Sequence, residues 1–276
     1  MKADLHIHSN FSDGDYTPEA IAEKCSLKGL DIISLTDHDS INGVCQIKEQ
    51  GKKYNIKVLS GVELSAFEGE TETHILAYGF DYADPSLNKK LIKVQQLREI
   101  RNYKIIDKLK TLGIIISYEQ LKQKYKGEII GRSHIARQMV NMGFSFSVPD
   151  AFETYLSAGG LAYVNSQRLT VEEAISLALD HNAIPVLAHP AKLSLNSLDC
   201  EKFINRLFCM GLKGIEAEYF SHTKSEREFF NFLADKYNLY VFGGSDFHSE
   251  SYGIGLGEFY SPNNDTMQLL ISLTEK

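Results

Sequence analysis

Nine histidines stand out in this chain of 276 residues, because six of them lie beside a carboxylate or a turn at an end of a short apolar run. His6 and His8 form an H-x-H pair at the end of the run 3–7. Residues two apart on a strand point to the same face, so both imidazoles can reach one metal ion. Asp13 follows in Ser12-Asp13-Gly14, a turn able to fold back over that pair. Asp37-His38-Asp39 closes a second run, Glu63 closes a third in Gly61-Val62-Glu63, and His74 starts a fourth. His189 closes a later run in Ala188-His189-Pro190, and Asp246 and His248 follow the last one in Gly244-Ser245-Asp246-Phe247-His248. Imidazole with carboxylate suits zinc, manganese or iron, and the lack of cysteine in the set argues against a closed structural zinc site. Each residue alone reads as an ordinary hydrogen-bonded group. Their recurrence at strand ends from both halves of the chain points to a shared site, since parallel α/β barrels place their active sites there.

The elements that must position these residues alternate. Strands are expected over 3–7, 31–35, 57–62, 74–78, 184–188, 214–218 and 240–243, with helical patterns between them. Thr17-Pro18-Glu19 opens a helix with a cap, a first-turn proline and an early acid. Residues 170–180 place Val171, Ala174, Ile175 and Ala178 at helical spacing, and 225–237 reads similarly. Alternating strands and helices predict a parallel sheet with helices packed outside it. Seven units predict a closed or nearly closed α/β barrel, with an open doubly wound sheet as the alternative. Residues 81–161 break the rhythm. Leu91, Val94, Leu97, Ile100, Tyr103, Ile106 and Leu109 form an apolar stripe on one long helix, and 130–142 reads as another. The expected division is therefore 1–80 and 162–276 as two parts of one barrel, with 81–161 as an inserted helical subdomain.

Apolar residues make up 43% and charged residues 24%, which fits a globular chain and excludes a disordered tail, a collagen-like repeat or a coiled coil. No run approaches the ~18 apolar residues needed to span a membrane. An acid and a histidine stand where a signal peptide needs an apolar stretch, so a cytoplasmic protein is expected. Net charge is −7, which disfavours stable binding to duplex nucleic acid. The insert differs: it carries 13 Lys and Arg against 8 Asp and Glu, so it is basic while the remainder is acidic. The four cysteines show no C-x-x-C spacing and read as reduced thiols.

Asp4-Leu5-His6-Ile7-His8-Ser9, Thr36-Asp37-His38-Asp39, Gly61-Val62-Glu63, Ala188-His189-Pro190 and the 244–248 segment resemble the ordered motifs of the PHP family, named for polymerase and histidinol phosphatase. The resemblance implies a distorted seven-stranded (β/α)7 barrel with two or three divalent metal ions (Mn, Fe or Zn) at its C-terminal mouth, and phosphoesterase activity. By the same resemblance, one metal takes His6, His8, Glu63 and Asp246. A second shares Glu63 and adds His74 and His189. A third takes Asp13, His38 and His248. Asp4 and Asp37 are then expected to orient ligand imidazoles through their free N–H groups. The implied chemistry is attack on phosphorus by a metal-bound hydroxide, with Glu63 and Asp246 as catalytic carboxylates holding the metals. No serine or cysteine nucleophile is needed, and no P-loop motif exists.

The insert bears on the substrate. Gly131-Arg132-Ser133-His134 opens a helix with Arg132 and His134 in its first turn, a ready phosphate site. A central insert with such a motif resembles the small PHP phosphoesterases that remove the 3′-phosphate of nucleoside 3′,5′-bisphosphates, some of which trim short RNA from the 5′ end. Histidinol-phosphate phosphatase and an inactive metal-bound scaffold are the alternatives. His222 is a candidate for phosphate binding or for protonating the leaving oxygen, and Lys192 for phosphate binding. His181, at a helix end, is expected to act as a cap. The expected partner is a small phosphorylated substrate, with no membrane.

Overall fold

The computed structural model describes residues 1–69, 71–125, 129–165, 169–250, 255–257, 260 and 262–274. The first strands are β1 (Ala3–Ile7), β2 (Ile32–Leu35), β3 (Lys57–Glu68) and β4 (Thr71–Tyr78), with helices α1 (Pro18–Leu27) and α2 (Val44–Tyr54) between them. The long helix α3 (Pro85–Thr111) leads into α4 (Tyr118–Lys124), α5 (Arg132–Asn141), α6 (Val148–Ala151) and a π-helical turn at Phe152–Leu156. The chain returns through the short β5 (Leu169–Thr170) and α7 (Val171–Asp180). It then runs through β6 (Ile184–Leu187), α8 (Ser197–Cys209), β7 (Gly214–Tyr219), α9 (Lys224–Lys236), β8 (Tyr240–Gly244) and α10 (Asn264–Thr274).

Helix starts follow the side-chain chemistry. The Thr17 hydroxyl accepts the Ala20 N–H ahead of Pro18, and Thr170 with Glu173 forms a reciprocal capping box on α7. Asp84 caps α3 by accepting the Ser86 N–H. His181 stands at the C-cap of α7 and its Nδ1 lies 2.8 Å from Asp84, so one histidine ties the end of α7 to the start of α3.

The strands run β1-β2-β3-β4-β6-β7-β8, and β5 pairs with β3. β1, β2 and β3 are parallel, as are β6, β7 and β8. The expectation of an all-parallel sheet fails at β4, which is antiparallel to both β3 and β6. The reason is local. Glu68 pairs with Thr71 across a two-residue connection, Gly69 takes φ +58°, and so short a link can only return the chain antiparallel. This hairpin also extends β3 six residues beyond its expected end and places His74 inside β4 rather than at its start.

The sheet nearly closes at β1 and β8. Ile7 and Phe247 form a parallel bridge, and the His8 N–H donates to the Phe247 carbonyl. Gly244 makes this approach feasible: a Cβ there would lie 2.5 Å from the His6 Cβ and N. Leu5, Leu76, Tyr78, Val186 and Phe242 form a buried cluster capped by Leu270 and Leu273 of α10. The helical segment has its own core, in which Ile105, Leu109, Ile135, Ala136 and Met139 pack together. Each fully buried Ile, Leu or Met contributes roughly 1.5–3 kcal/mol to holding that segment. No helix among the described residues is long and apolar enough to cross a membrane.

Candidate metal centre and active site

Strand ends converge on Glu63, which lies within β3 and is almost wholly buried. Its Oε2 is 3.4 Å from His6 Nε2, 3.2 Å from His8 Nε2 and 3.1 Å from His38 Nδ1. Its Oε1 is 2.8 Å from His74 Nδ1 and 3.0 Å from His189 Nε2, and those two rings approach to 3.2 Å. Asp246 Oδ1 lies 3.3 Å from His6 Nε2 and 3.2 Å from His8 Nε2. On the other flank Asp13 Oδ1 lies 3.3 Å from His248 Nε2 and 3.7 Å from His8 Nδ1. All nine residues singled out as metal candidates thus fall in one constellation. Three groups have ligand atoms within 4.8 Å of one another: His6, His8, Glu63 and Asp246; His8, Asp13, His38 and His248; and His38, Glu63 and His74.

Among the described residues, His6 Nε2, His8 Nε2, His38 Nδ1, Asp13 Oδ1 and Glu63 Oε2 are buried without a hydrogen-bond partner. Such orphaned atoms are costly unless an ion or water satisfies them, and these face one another. The donor set therefore fits divalent metal ions. Burial opposes charge on Glu63, but the imidazoles of His74, His38 and His6 outweigh it and hold the carboxyl well below its usual range. Burial likewise opposes ionisation of Asp246, and Lys192 and His6 hold it low. Burial disfavours protonated His8, yet its approaches to Asp246 and Glu63 push it up to about 10. Burial pushes His38 down to about 3 and, with the Lys192 charge, His189 down to about 4.

The backbone is bent at three of the strand ends that carry these groups. Asp39, His189 and Asp246 are non-glycine residues with φ of +53°, +28° and +50°. Such conformations cost of order 1–3 kcal/mol each and persist only where the surroundings fix them. Here Arg98 and the Ser65 N–H fix Asp39, a carboxylate accepts the His189 N–H, and Tyr219 and Lys192 grip Asp246.

The carboxylate on His189 belongs to Glu216, a fully buried residue that sequence reasoning missed. Its Oε1 accepts the His6 Nδ1–H at 2.9 Å while Oε2 accepts the His189 N–H at 2.7 Å. The expectation for Asp4 and Asp37 is corrected accordingly. Asp4 accepts the Ser245 hydroxyl and N–H and the Gly257 N–H. Asp37 accepts the Ser9 N–H and hydroxyl and the Ser12 hydroxyl. Both carboxylates pin turns under the site and neither touches an imidazole.

A cavity of about 440 Å³ opens over the cluster. Barrel residues Asp13, His38, Glu63, His74, His189, Asp246 and His248 line one side, and Arg98, Arg132, Ser133, Phe152 and Ser157 from the helical segment line the other. Arg132 is already paired, with Glu72 of β4, and its guanidinium lies over the Phe152 ring. Lys192 also lines the cavity, 3.1 Å from Asp246 Oδ2. His134 does not line it. That residue is fully buried, its Nδ1 accepts the Gly131 N–H at 2.9 Å, and its ring packs on Tyr125. A histidine at the third helical position serves the cap before it can serve a ligand. His222 does not line the cavity either. Its Nδ1 faces the Ala217 carbonyl at 3.0 Å and its ring is wedged between Tyr219 and Phe230.

The PHP domain family matches residues 4–151. A 5′-3′ exoribonuclease of Haemophilus influenzae is 31% identical over 100% of this chain and 98% of its own. A 3′,5′-nucleoside bisphosphate phosphatase of Chromobacterium violaceum is 30% identical over 91% of this chain and 88% of its own. A solved structure from Chromobacterium violaceum, described as an amidohydrolase with bound sulfate and no metal, superposes with a TM-score of 0.90. It is 28% identical, covering 99% of this chain and 97% of that one. The chain belongs to the PHP domain family. It is an enzyme of the metal-dependent phosphoesterase class.

Proposed function

We propose that the chain hydrolyses phosphomonoesters of small nucleotides, removing the 3′-phosphate of nucleoside 3′,5′-bisphosphates. The observation that carries this reading is one cavity lined both by seven residues of the imidazole–carboxylate cluster and by three cationic side chains, Arg98, Arg132 and Lys192. The named activity of the Chromobacterium violaceum relative supports the substrate. The sulfate in the similar structure is an anion of phosphate's size and shape.

In this reading His6, His8, Glu63 and Asp246 hold one metal, Glu63, His74 and His189 a second, and Asp13, His38 and His248 a third. Bound divalent metal would lower the pKa of a water to near neutrality and offset charge developing on the phosphoryl oxygens. The chain's own residues do the rest. Arg132, at the start of α5, offers a planar fork to the phosphate, and its exchange of Glu72 for phosphate oxygens keeps the guanidinium paired. Lys192 supplies a second positive charge beside Asp246. The Phe152 ring, packed on Arg132, gives an apolar wall against which a nucleoside can lie.

The second reading is stepwise removal of nucleotides from the 5′ end of short RNA, favoured by the exoribonuclease similar over the whole chain. Phosphate release by manganese-loaded protein from adenosine 3′,5′-bisphosphate, histidinol phosphate and AMP, set beside mononucleotide release from a short 5′-phosphorylated RNA, separates these readings. The highest kcat/KM on the bisphosphate is the expected result. Preference for RNA selects the second reading, and preference for histidinol phosphate overturns both.

A further inference from the structure

The nine clustered residues are not all held in the same way. His6, His189 and Asp246 are braced from within the barrel by Glu216 and Tyr219, but the Asp13 side chain is gripped by the helical segment. The Ser133 hydroxyl donates to Asp13 Oδ2 at 2.7 Å, across 120 residues of chain. The other oxygen, Oδ1, is the buried atom without a partner that faces His248 and His8. Arg137, one turn further along α5, donates to the Asp13 carbonyl at 3.0 Å and to Asp15 at 2.9 Å. The barrel holds the same turn from below: the Gly14 N–H donates to the Ser9 carbonyl and the Asp15 N–H to the His248 carbonyl.

We propose that Ser133 is a positioning residue that aims Asp13 into the subsite of Asp13, His38 and His248, so that loading of this subsite and seating of α5 are linked. The inference rests on the reading of the cluster as a metal centre. Its logic is thermodynamic. If a seated α5 fixes Asp13 for the metal, the metal favours the seated α5 by the same factor. Arg132 is the residue before Ser133 and reaches the cavity from the same helical turn, so metal in this subsite also sets the phosphate-binding guanidinium. His6, His189 and Asp246 are braced by the barrel residues Glu216 and Tyr219 rather than by α5.

The test is titration of chelator-stripped protein with Mn2+, with free Mn2+ read by electron paramagnetic resonance, for the wild type, Ser133→Ala and Ser133→Thr. Removing a partner that orients a ligand costs about 10–100-fold in metal affinity. Ser133→Ala is expected to weaken one class of Mn2+ site by at least about tenfold and leave the others within about twofold. Ser133→Thr keeps the hydroxyl and should restore it. Hydrogen exchange gives the reciprocal reading: α5 amides should gain protection on Mn2+ loading in the wild type and less in Ser133→Ala. Superimposable titrations of wild type and Ser133→Ala would overturn the inference, as would equal weakening of every class. If the wild type binds no Mn2+, the metal-centre reading itself fails and this inference falls with it.

Discussion

The two flanks of the cluster are built differently. On the barrel flank, His6, His8, Glu63, His189 and Asp246 sit on or just past strands whose register fixes them, with Glu216 bracing His6 and His189 and Tyr219 bracing Asp246. On the insert flank, Asp13 sits on a turn, and α5 completes its orientation from 120 residues away. The cavity-lining Arg132 comes from that same helix and is braced by Glu72 of β4. The contrast separates two tasks. In the proposed function, the sheet presents the metal ligands from strand ends, and a helical segment with its own core brings the groups that meet the substrate. A side chain that bridges the two, such as Ser133, is where their states become coupled.

The sharpest way to break this contrast is Glu63→Gln. A single neutral amide would replace the carboxylate that touches five imidazoles, and kcat is expected to fall by at least about 10²–10³-fold. Near-normal steady-state turnover would dissolve the barrel flank as the reaction's anchor. Next comes Arg132→Ala, which leaves the barrel flank whole. Here kcat/KM on the bisphosphate should drop about 100-fold with KM taking the larger share, and a change under about twofold removes Arg132 from the substrate site. Glu216→Gln tests the brace itself. It should weaken Mn2+ binding about tenfold in calorimetric titration, because His6 and His189 lose one shared acceptor.

Protons provide a further test. His8 is raised to about 10, so in the metal-free protein at neutral pH it carries a proton that a metal ligand cannot keep. Metal binding must expel that proton, and affinity should rise with pH, about tenfold per unit for each proton released, until pH nears the His8 value. Calorimetry in buffers of different ionisation enthalpy reads the proton count, and a count of zero contradicts this picture. The smallest effect is expected from His134→Gln. A glutamine at the third helical position can still reach the N-cap amide, so KM should change by less than about threefold. A larger rise in KM would return His134 to the substrate site.

Much of this was legible in the sequence, and what was missed has physical causes. Apolar runs gave β1, β2 and β8 nearly to the residue, and the capped starts of α1 and α7 were equally readable. Direction was not, because alternation along one strand says nothing of its partner. The reversal of β4 depends on a two-residue link at Gly69 that looks like any loop glycine. Glu216 was hidden because a carboxylate alternating with apolar residues in 214–218 reads as a solvent-facing group. Only closure of the barrel turns that face inward. A carboxylate in the middle of a strand that must be buried on both sides was the available signal. Arg132 and His134 shared one motif, yet the helix start sends the arginine to the cavity and keeps the histidine as a cap. Spacing alone cannot separate these two fates.

The seam between Ile7 and Phe247 has a consequence for the life of the chain on the ribosome. Synthesis runs at about 5–20 residues per second, and the amino-terminal strands emerge first. His6 and His8 are made about 240 residues before Asp246 and His248. A nascent chain that stops short of β8 therefore holds His38, Glu63 and His74 but lacks a ligand of each of the two groups that draw on Asp246 and His248. Those two groups can be completed only after the last core strand has closed against the first, which makes their capture of metal a late event in the maturation of the protein.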